Sequence, residues 1–267
     1  MLAFEWILSF LLLGACVGFV AGLLGVGGGG ILVPILTSIF LLQDVPVDKV
    51  VHLALGTSMA CIIITSFSSL RAHNKKGAVI WKIVKTMSFG IIVGTFISTF
   101  IASYLNSFYL AIFFSLFMGG MAINMLKHKE EQKSVCNFED GNVFVSSTGI
   151  GAISALVSIG GGSLTVPYLV KHNVDIKKAI GTSAAIGLPI SLAGTLGYLV
   201  NGWNNDLVIN YSVGFIYLPA AVLISIASFF TAPYGVKAAH YLPVQVLRKI
   251  FAFLLILLSL KMLLSVI

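Results

Sequence analysis

The sequence predicts an all-α polytopic membrane protein built as two inverted repeats of five elements, with a Gly-broken helix pair in each repeat. Three observations predict it. Hydrophobic residues make up 58% of the 267 and charged residues only 9%, with a mean hydropathy of +1.04, which excludes an ordinary water-soluble domain. Apolar runs of the roughly 20 residues needed to span a hydrocarbon core recur along nearly the whole chain. The chain also contains itself twice: the break from Gly25 to Pro34 returns from Ser158 to Pro167.

With Pro34 set on Pro167, Gly27, Gly28 and Gly29 fall on Gly160, Gly161 and Gly162, and Gly30 falls on Ser163. Ahead of the breaks, Gly14, Gly18 and Gly22 fall on Ser147, Gly151 and Ala155, a small residue at every fourth position. Such a series lets helices pack at close backbone distance, and that packing role is the one expected for these six residues. Further on, Ala54-Leu-Gly-Thr-Ser58 matches Ala179-Ile-Gly-Thr-Ser183.

In chain order, residues 5–24 form the first span, and 31–43 form a short segment of about 20 Å, less than the core thickness. Residues 50–72, 78–100 and 107–127 are full-length spans. The second half reads 142–159, the short 163–172, then 177–200, 207–232 and 245–266. This gives about eight full spans and two half-helices in a single membrane domain over 1–267. Repeat one covers 1–127, a polar linker covers 128–141 and repeat two covers 142–267. The amino-terminal run lacks the basic start of a signal peptide and carries Glu5, so it is expected to be a retained helix.

Fourteen of the sixteen Lys and Arg fall in 71–85, 127–133, 171–178 and 237–249, while 101–106 and 201–206 contain none. The positive-inside rule then places both termini outside and the linker in the cytoplasm, with the chain crossing ten times. Orientation accounts for the net charge of +7, so no nucleic-acid partner is implied. Because five elements is an odd number, the second copy enters from the opposite side. Inverted repeats with matched broken helices occur in many secondary transporters, whose substrates lie near the midplane between repeats.

Consecutive glycines cost about 1 kcal/mol each in a helix and leave backbone groups unpaired where there is no water. A helix that restarts after such a break points free amides and the positive end of its dipole at it. Two such starts converging from inverted copies would make an anion site without a buried Lys or Arg. The candidate substrate-binding residues are therefore Gly27, Gly28, Gly29, Gly30, Gly160, Gly161, Gly162 and Ser163. The hydroxyls of Thr57, Ser58, Thr182 and Ser183 join them from the repeated triplets. The competing reading of these hydroxyls is that they bond to the preceding turn and help helices touch.

Other candidates fail on context. Gly25-x-Gly27-x-x-Gly30 matches a dinucleotide fingerprint in form, but no strand precedes it. His52, His73, His128, His172 and His240 sit at helix ends or in loops and are expected to be interfacial or solvated. Cys16 and Cys61 lie in apolar runs and are expected to be buried and inert; Cys136 has no metal-ligand spacing to either. Every Asp and Glu falls in or next to a loop, so a buried carboxylate relay is not expected. No catalytic group, metal site or cofactor is expected.

The pattern GxxxGLLGVGGGxxxVP with ALGTS, followed by SIGGGxxxVP with AIGTS, resembles the TauE/SafE family of membrane proteins, described as exporters of sulfite and organosulfonates. The likeness covers nearly the full chain, departing at Ser158 and Ser163 of the second copy. It implies transport of a small sulfur anion, or of other small anions as in some members, with no enzymatic activity. The function expected is a secondary transporter, an exporter in the cell inner membrane, working by alternating access. The alternative is an anion channel with the same site and no alternating gate. The partners are the small anionic substrate and membrane lipid, with association into a homo-oligomer left open.

Overall fold

The computed structural model describes residues 4–25, 27–127, 143–203, 211–241 and 244–265. Among these the first repeat gives α1 (Phe4–Leu24), α2 (Gly29–Leu42), α3 (Val47–Asn74), α4 (Trp81–Tyr104) and α5 (Ser107–Lys127). The second gives α6 (Val143–Val157), α7 (Gly162–Lys171), α8 (Ile176–Gly202), the strands β1 (Ser212–Val213) and β2 (Ile216–Tyr217), α9 (Leu218–Tyr241) and α10 (Val244–Leu264). The linker 128–141 lies outside the described residues, as does 204–210.

Both expected short helices are present, α2 with 14 residues and α7 with 10, each opening directly after its glycine break. Six helices, α1, α3, α4, α5, α8 and α9, are long and apolar enough among the described residues to cross a membrane, where the sequence suggested eight full spans. The two that fall short are α6, whose 15 residues cover about 22 Å, and α10, whose 21-residue sequence includes Arg248, Lys249 and Lys261. The span expected at 207–232 is displaced. Residues 212–217 form an antiparallel hairpin with Ser212 opposite Tyr217, and the helix runs on instead to Tyr241. A buried Phe215 at the turn holds that hairpin inside the protein.

Polarity runs inside out, as a hydrocarbon solvent demands. Within the apolar windows, 78% of α3 and 61% of α8 are buried, against 39–44% in α1, α4, α5 and α9, so α3 and α8 are the central helices. These two nonetheless carry buried hydroxyls along their length: Thr57, Ser58, Thr65, Ser66, Ser68 and Ser69 on α3, and Thr182, Ser183 and Ser191 on α8. Large apolar side chains such as Phe89, Ile97, Leu116, Leu196, Val222 and Phe230 face outward. Cys16 is exposed in that apolar belt, contrary to the expectation of burial, while Cys61 is buried. The histidine expectation is corrected too. His52 and His73 are buried, and His52 Nε2 lies 3.0 Å from the Ala102 carbonyl with Nδ1 3.3 Å from Ser107 Oγ.

The packing is reciprocal between the repeats. α1 lies on α9 as α6 lies on α4, α3 meets α9 as α8 meets α4, α2 lies on α3 as α7 lies on α8, and α3 meets α8. Exchanging matched elements turns each of these contacts into another. Gly56 sits by Tyr198, Gly194 by Met59 and Gly187 by Ser66, so the matched helices α3 and α8 run antiparallel. The small-residue series does pack as expected. Gly14 lies against Ile224, Gly18 against Ser228 and Gly22 against Ala232, four residues at a time along both helices, while Gly151 lies against Ile91.

A β-carbon at Gly18 would collide with Thr231 Oγ1 and the Ser228 backbone, whereas one at Gly120 meets nothing within 4 Å. Gly18→Val is therefore expected to destabilise the fold by about 1–3 kcal/mol through overpacking. Gly120→Ala should be neutral. Thermal melts of the two purified variants against the parent check both outcomes.

Candidate functional site

Each break is a short unwound stretch held by left-handed residues. Between α1 and α2, Gly25, Gly27 and Gly28 have φ of 66°, 73° and 80°; between α6 and α7, Ser158 and Gly161 have φ of 50° and 86°. Gly28 and Gly161 are the N-caps of α2 and α7, and no side chain caps either helix. Both starts thus present their first amides at the break without a side-chain acceptor. Ser158 matches Gly25 in conformation, although a left-handed residue with a side chain costs about 1–2 kcal/mol.

The breaks touch one another. A β-carbon on Gly27 would stand 2.8 Å from Gly160 Cα, and one on Gly29 would overlap the Ser158 carbonyl. Each break also leans on the triplet-bearing helix of the other repeat. Ser183 Oγ donates to the Gly25 carbonyl at 3.2 Å and to the Ile180 carbonyl at 2.8 Å, while Ser158 Oγ donates to the Leu55 carbonyl at 3.3 Å.

Of the twelve candidate residues, Gly28, Gly30 and Ser163 line one crevice, walled by Val20, Ala21, Ile31, Met118 and Leu255. Ser163 Oγ is buried there with no hydrogen-bond partner. Gly162 is the first residue of α7 and is buried, and Gly27, Gly29 and Gly160 form the contact between breaks. The Ser58 hydroxyl is buried and unpartnered on α3. The wall residues carry no sequence signal. They are ordinary members of apolar runs, and only the fold brings α1, α2, α5 and α10 together around the crevice.

The threonines of the triplets have a structural task. Thr57 Oγ1 accepts from the Tyr217 amide at 2.9 Å, and Thr182 Oγ1 accepts from the Ile80 amide at 3.0 Å. Ile80 is the N-cap of α4 and Tyr217 immediately precedes α9, so each hydroxyl serves an amide at the start of a helix of the other repeat. The glycine before each threonine admits the incoming chain: Gly56 lies against the Phe215 carbonyl and Gly181 against that of Ala78. The sequence could not show this, because Ile80 and Tyr217 sit at neither of the two repeat offsets.

Comparison with known proteins gives a consistent picture. The profile of the family described as "Sulfite exporter TauE/SafE" matches residues 10–262. A "Probable membrane transporter protein" of Haemophilus influenzae is 37% identical over 263 residues, covering 98% of this chain and 100% of that one. One of Methanocaldococcus jannaschii is 29% identical over 268 residues, covering 98% of each chain. One of Xylella fastidiosa is 30% identical over 205 residues, covering 73% of each. No solved structure matches the chain.

Thr57→Val and Thr182→Val each strip the acceptor from a backbone amide, Thr57 being fully buried. Each is expected to lower stability by about 1–3 kcal/mol, and Thr→Ser at the same positions should recover most of the loss. Melting of the four purified variants in detergent reads this directly.

Proposed function

The chain belongs to the sulfite exporter TauE/SafE family, and on that premise we propose that this membrane transporter is a secondary carrier of a small sulfur oxyanion or sulfonate. The observation that carries the proposal is the pair of uncapped helix starts, α2 and α7, opening from breaks in mutual contact, with Gly28, Gly30 and Ser163 on one crevice. An anion there receives helix-end amides and a hydroxyl. Charge-assisted hydrogen bonds of this kind contribute on the order of 1.5–3 kcal/mol each, without the cost of keeping a Lys or Arg at membrane depth. A site that holds its substrate by neutral groups also releases it, as turnover requires.

Alternating access between inverted repeats follows on the same reading, supported by antiparallel α3 and α8 and by the reciprocal packing. On the same reading the protein lies in the cell inner membrane with both termini and residue 106 outside and the loop around residue 76 in the cytoplasm, an orientation supported by the distribution of Lys and Arg. Export is the direction that the family's description gives.

Two measurements test this reading. Sulfite, sulfate, taurine and chloride are compared by thermal shift on the purified protein, where a bound anion stabilises by mass action. Gly30→Ala, whose new methyl displaces only the flexible end of Met118, and Ser163→Ala should each weaken the sulfite shift several-fold with little change in the unliganded melt. Counterflow in proteoliposomes follows: acceleration by sulfite on the opposite side supports a carrier, and its absence with sulfite flux retained converts the reading to a channel. Separately, a maleimide reagent added outside intact cells should label Asn106→Cys and not Lys76→Cys; the reverse pattern overturns the topology.

A further inference from the structure

The two breaks are built alike, so each is a control for the other, and one of their differences lies where the central helices α3 and α8 pack on them. At the first break, Ile62 packs on Gly27 and Leu32 of α2 is buried. The matched positions at the second break are Gly187 and Thr165. Gly187 has no room for a side chain such as that of Ile62: a β-carbon there would stand 2.5 Å from Ser66 Oγ and 2.8 Å from the Gly160 carbonyl oxygen, so these two oxygens converge on the glycine. Thr165 Oγ1 lies beside the next residue, 3.3 Å from where a Gly161 β-carbon would be. Ser66 and Thr165 are 1% and 0% exposed, and neither hydroxyl has a hydrogen-bond partner. Ser191, the match of Ser66, instead donates to the Leu188 carbonyl of its own helix at 3.1 Å. One copy of the scaffold thus folds without orphaned hydroxyls here, and the other keeps two that a buried site should not leave unpaired.

We propose that Ser66 Oγ, Thr165 Oγ1 and the Gly160 carbonyl oxygen form a sodium site at the second break, between α3, α7 and α8. This rests on the anion-carrier reading given above. A carbonyl oxygen offers only lone pairs, so this cluster repels an anion and suits a hard cation that takes oxygen ligands. The carbonyl end of α6, which closes at Val157, faces the same unwound stretch and adds negative potential. Ligands without formal charge favour a monovalent ion, and broken helices with exposed carbonyls hold sodium in other carriers. Among the described residues the carboxylates are Glu5, Asp44, Asp48 and Asp175, all at helix ends and none at the breaks. The counter-charge for the cation is therefore the anion held at the adjoining helix starts. Each ion then raises the affinity of the other by the same factor, and the pair moves together.

The test is a sulfite titration followed by thermal shift, with sodium, potassium or N-methylglucamine as the cation at equal ionic strength. Sodium is expected to raise the melting temperature in a saturable way and to tighten sulfite binding by about fivefold or more. Ser66→Ala and Thr165→Val should abolish that effect while leaving sulfite affinity in N-methylglucamine at the parent value, and Ser191→Ala should keep it. A sulfite affinity equal in all three salts, or a sodium effect that survives both variants, overturns the proposal and assigns the hydroxyls to a buried water. Should Thr165→Val fail to fold, Ser66→Ala decides alone, since it removes a single oxygen. A sodium shift with no response to sulfite in any salt leaves the cation site standing and sinks the anion reading.

Discussion

A helix interrupted in a medium without water must find a partner for each amide and carbonyl it frees, and the architecture answers to that requirement. The partners come from across the repeat boundary. Gly25 offers its carbonyl to Ser183, and Ser158 sends its hydroxyl to the Leu55 carbonyl. A hydrogen bond of this sort adds only about 0.5–1.5 kcal/mol net, but leaving the group unpaired costs about 1–3 kcal/mol. Neither break is therefore stable without the other repeat's central helix beside it. The same logic reaches the helix starts, where Thr57 and Thr182 take amides from Tyr217 and Ile80.

The repeat is a unit of sequence, while the packing units cross it. α1 is clasped by α9 and α4 by α6, each pair joining one helix from either half through columns of small residues. Lipid tails are as apolar as leucine, so burying apolar surface gives no drive for these contacts, and close backbone approach has to supply the attraction. Large apolar residues such as Phe89, Leu116 and Phe230 can accordingly be left on the outer surface, while hydroxyls such as Thr65 and Ser191 are buried on α3 and α8.

Much of this was legible. The glycine breaks, the two short helices, the small-residue columns and the family all follow from residues that recur at fixed offsets. What escaped was whatever depends on partners at unrelated offsets. The hairpin 212–217 reads as part of an apolar span, because Val213, Phe215, Ile216 and Tyr217 are as hydrophobic as the helix after them. His52 sits six residues into α3 and looks interfacial, yet the ends of α4 and α5 close over it. Cys16 lies in a run apolar on every side, so nothing in the local pattern tells the lipid face from the protein face. The crevice wall is equally silent, since Met118 and Leu255 are separated by more than half the chain.

A duplicated scaffold also separates folding from function in a way that reverses the first impression of the sequence. Recurrence draws attention to Thr57 and Thr182, and the structure accounts for both by the same bond to an incoming amide. Residues kept in both copies meet demands that both copies share, and the shared demand is to fold. A residue present in one copy alone has no such explanation. Ser163 stands against Gly30, Thr165 against Leu32 and Gly187 against Ile62, and all three differences fall at the second break, where buried hydroxyls lack partners. An exact twofold site would bind a ligand equally in either orientation and would give a carrier no means of holding two unlike ions side by side. The departures from symmetry, being costly and unneeded by the fold, are where the chemistry of transport has to be sought.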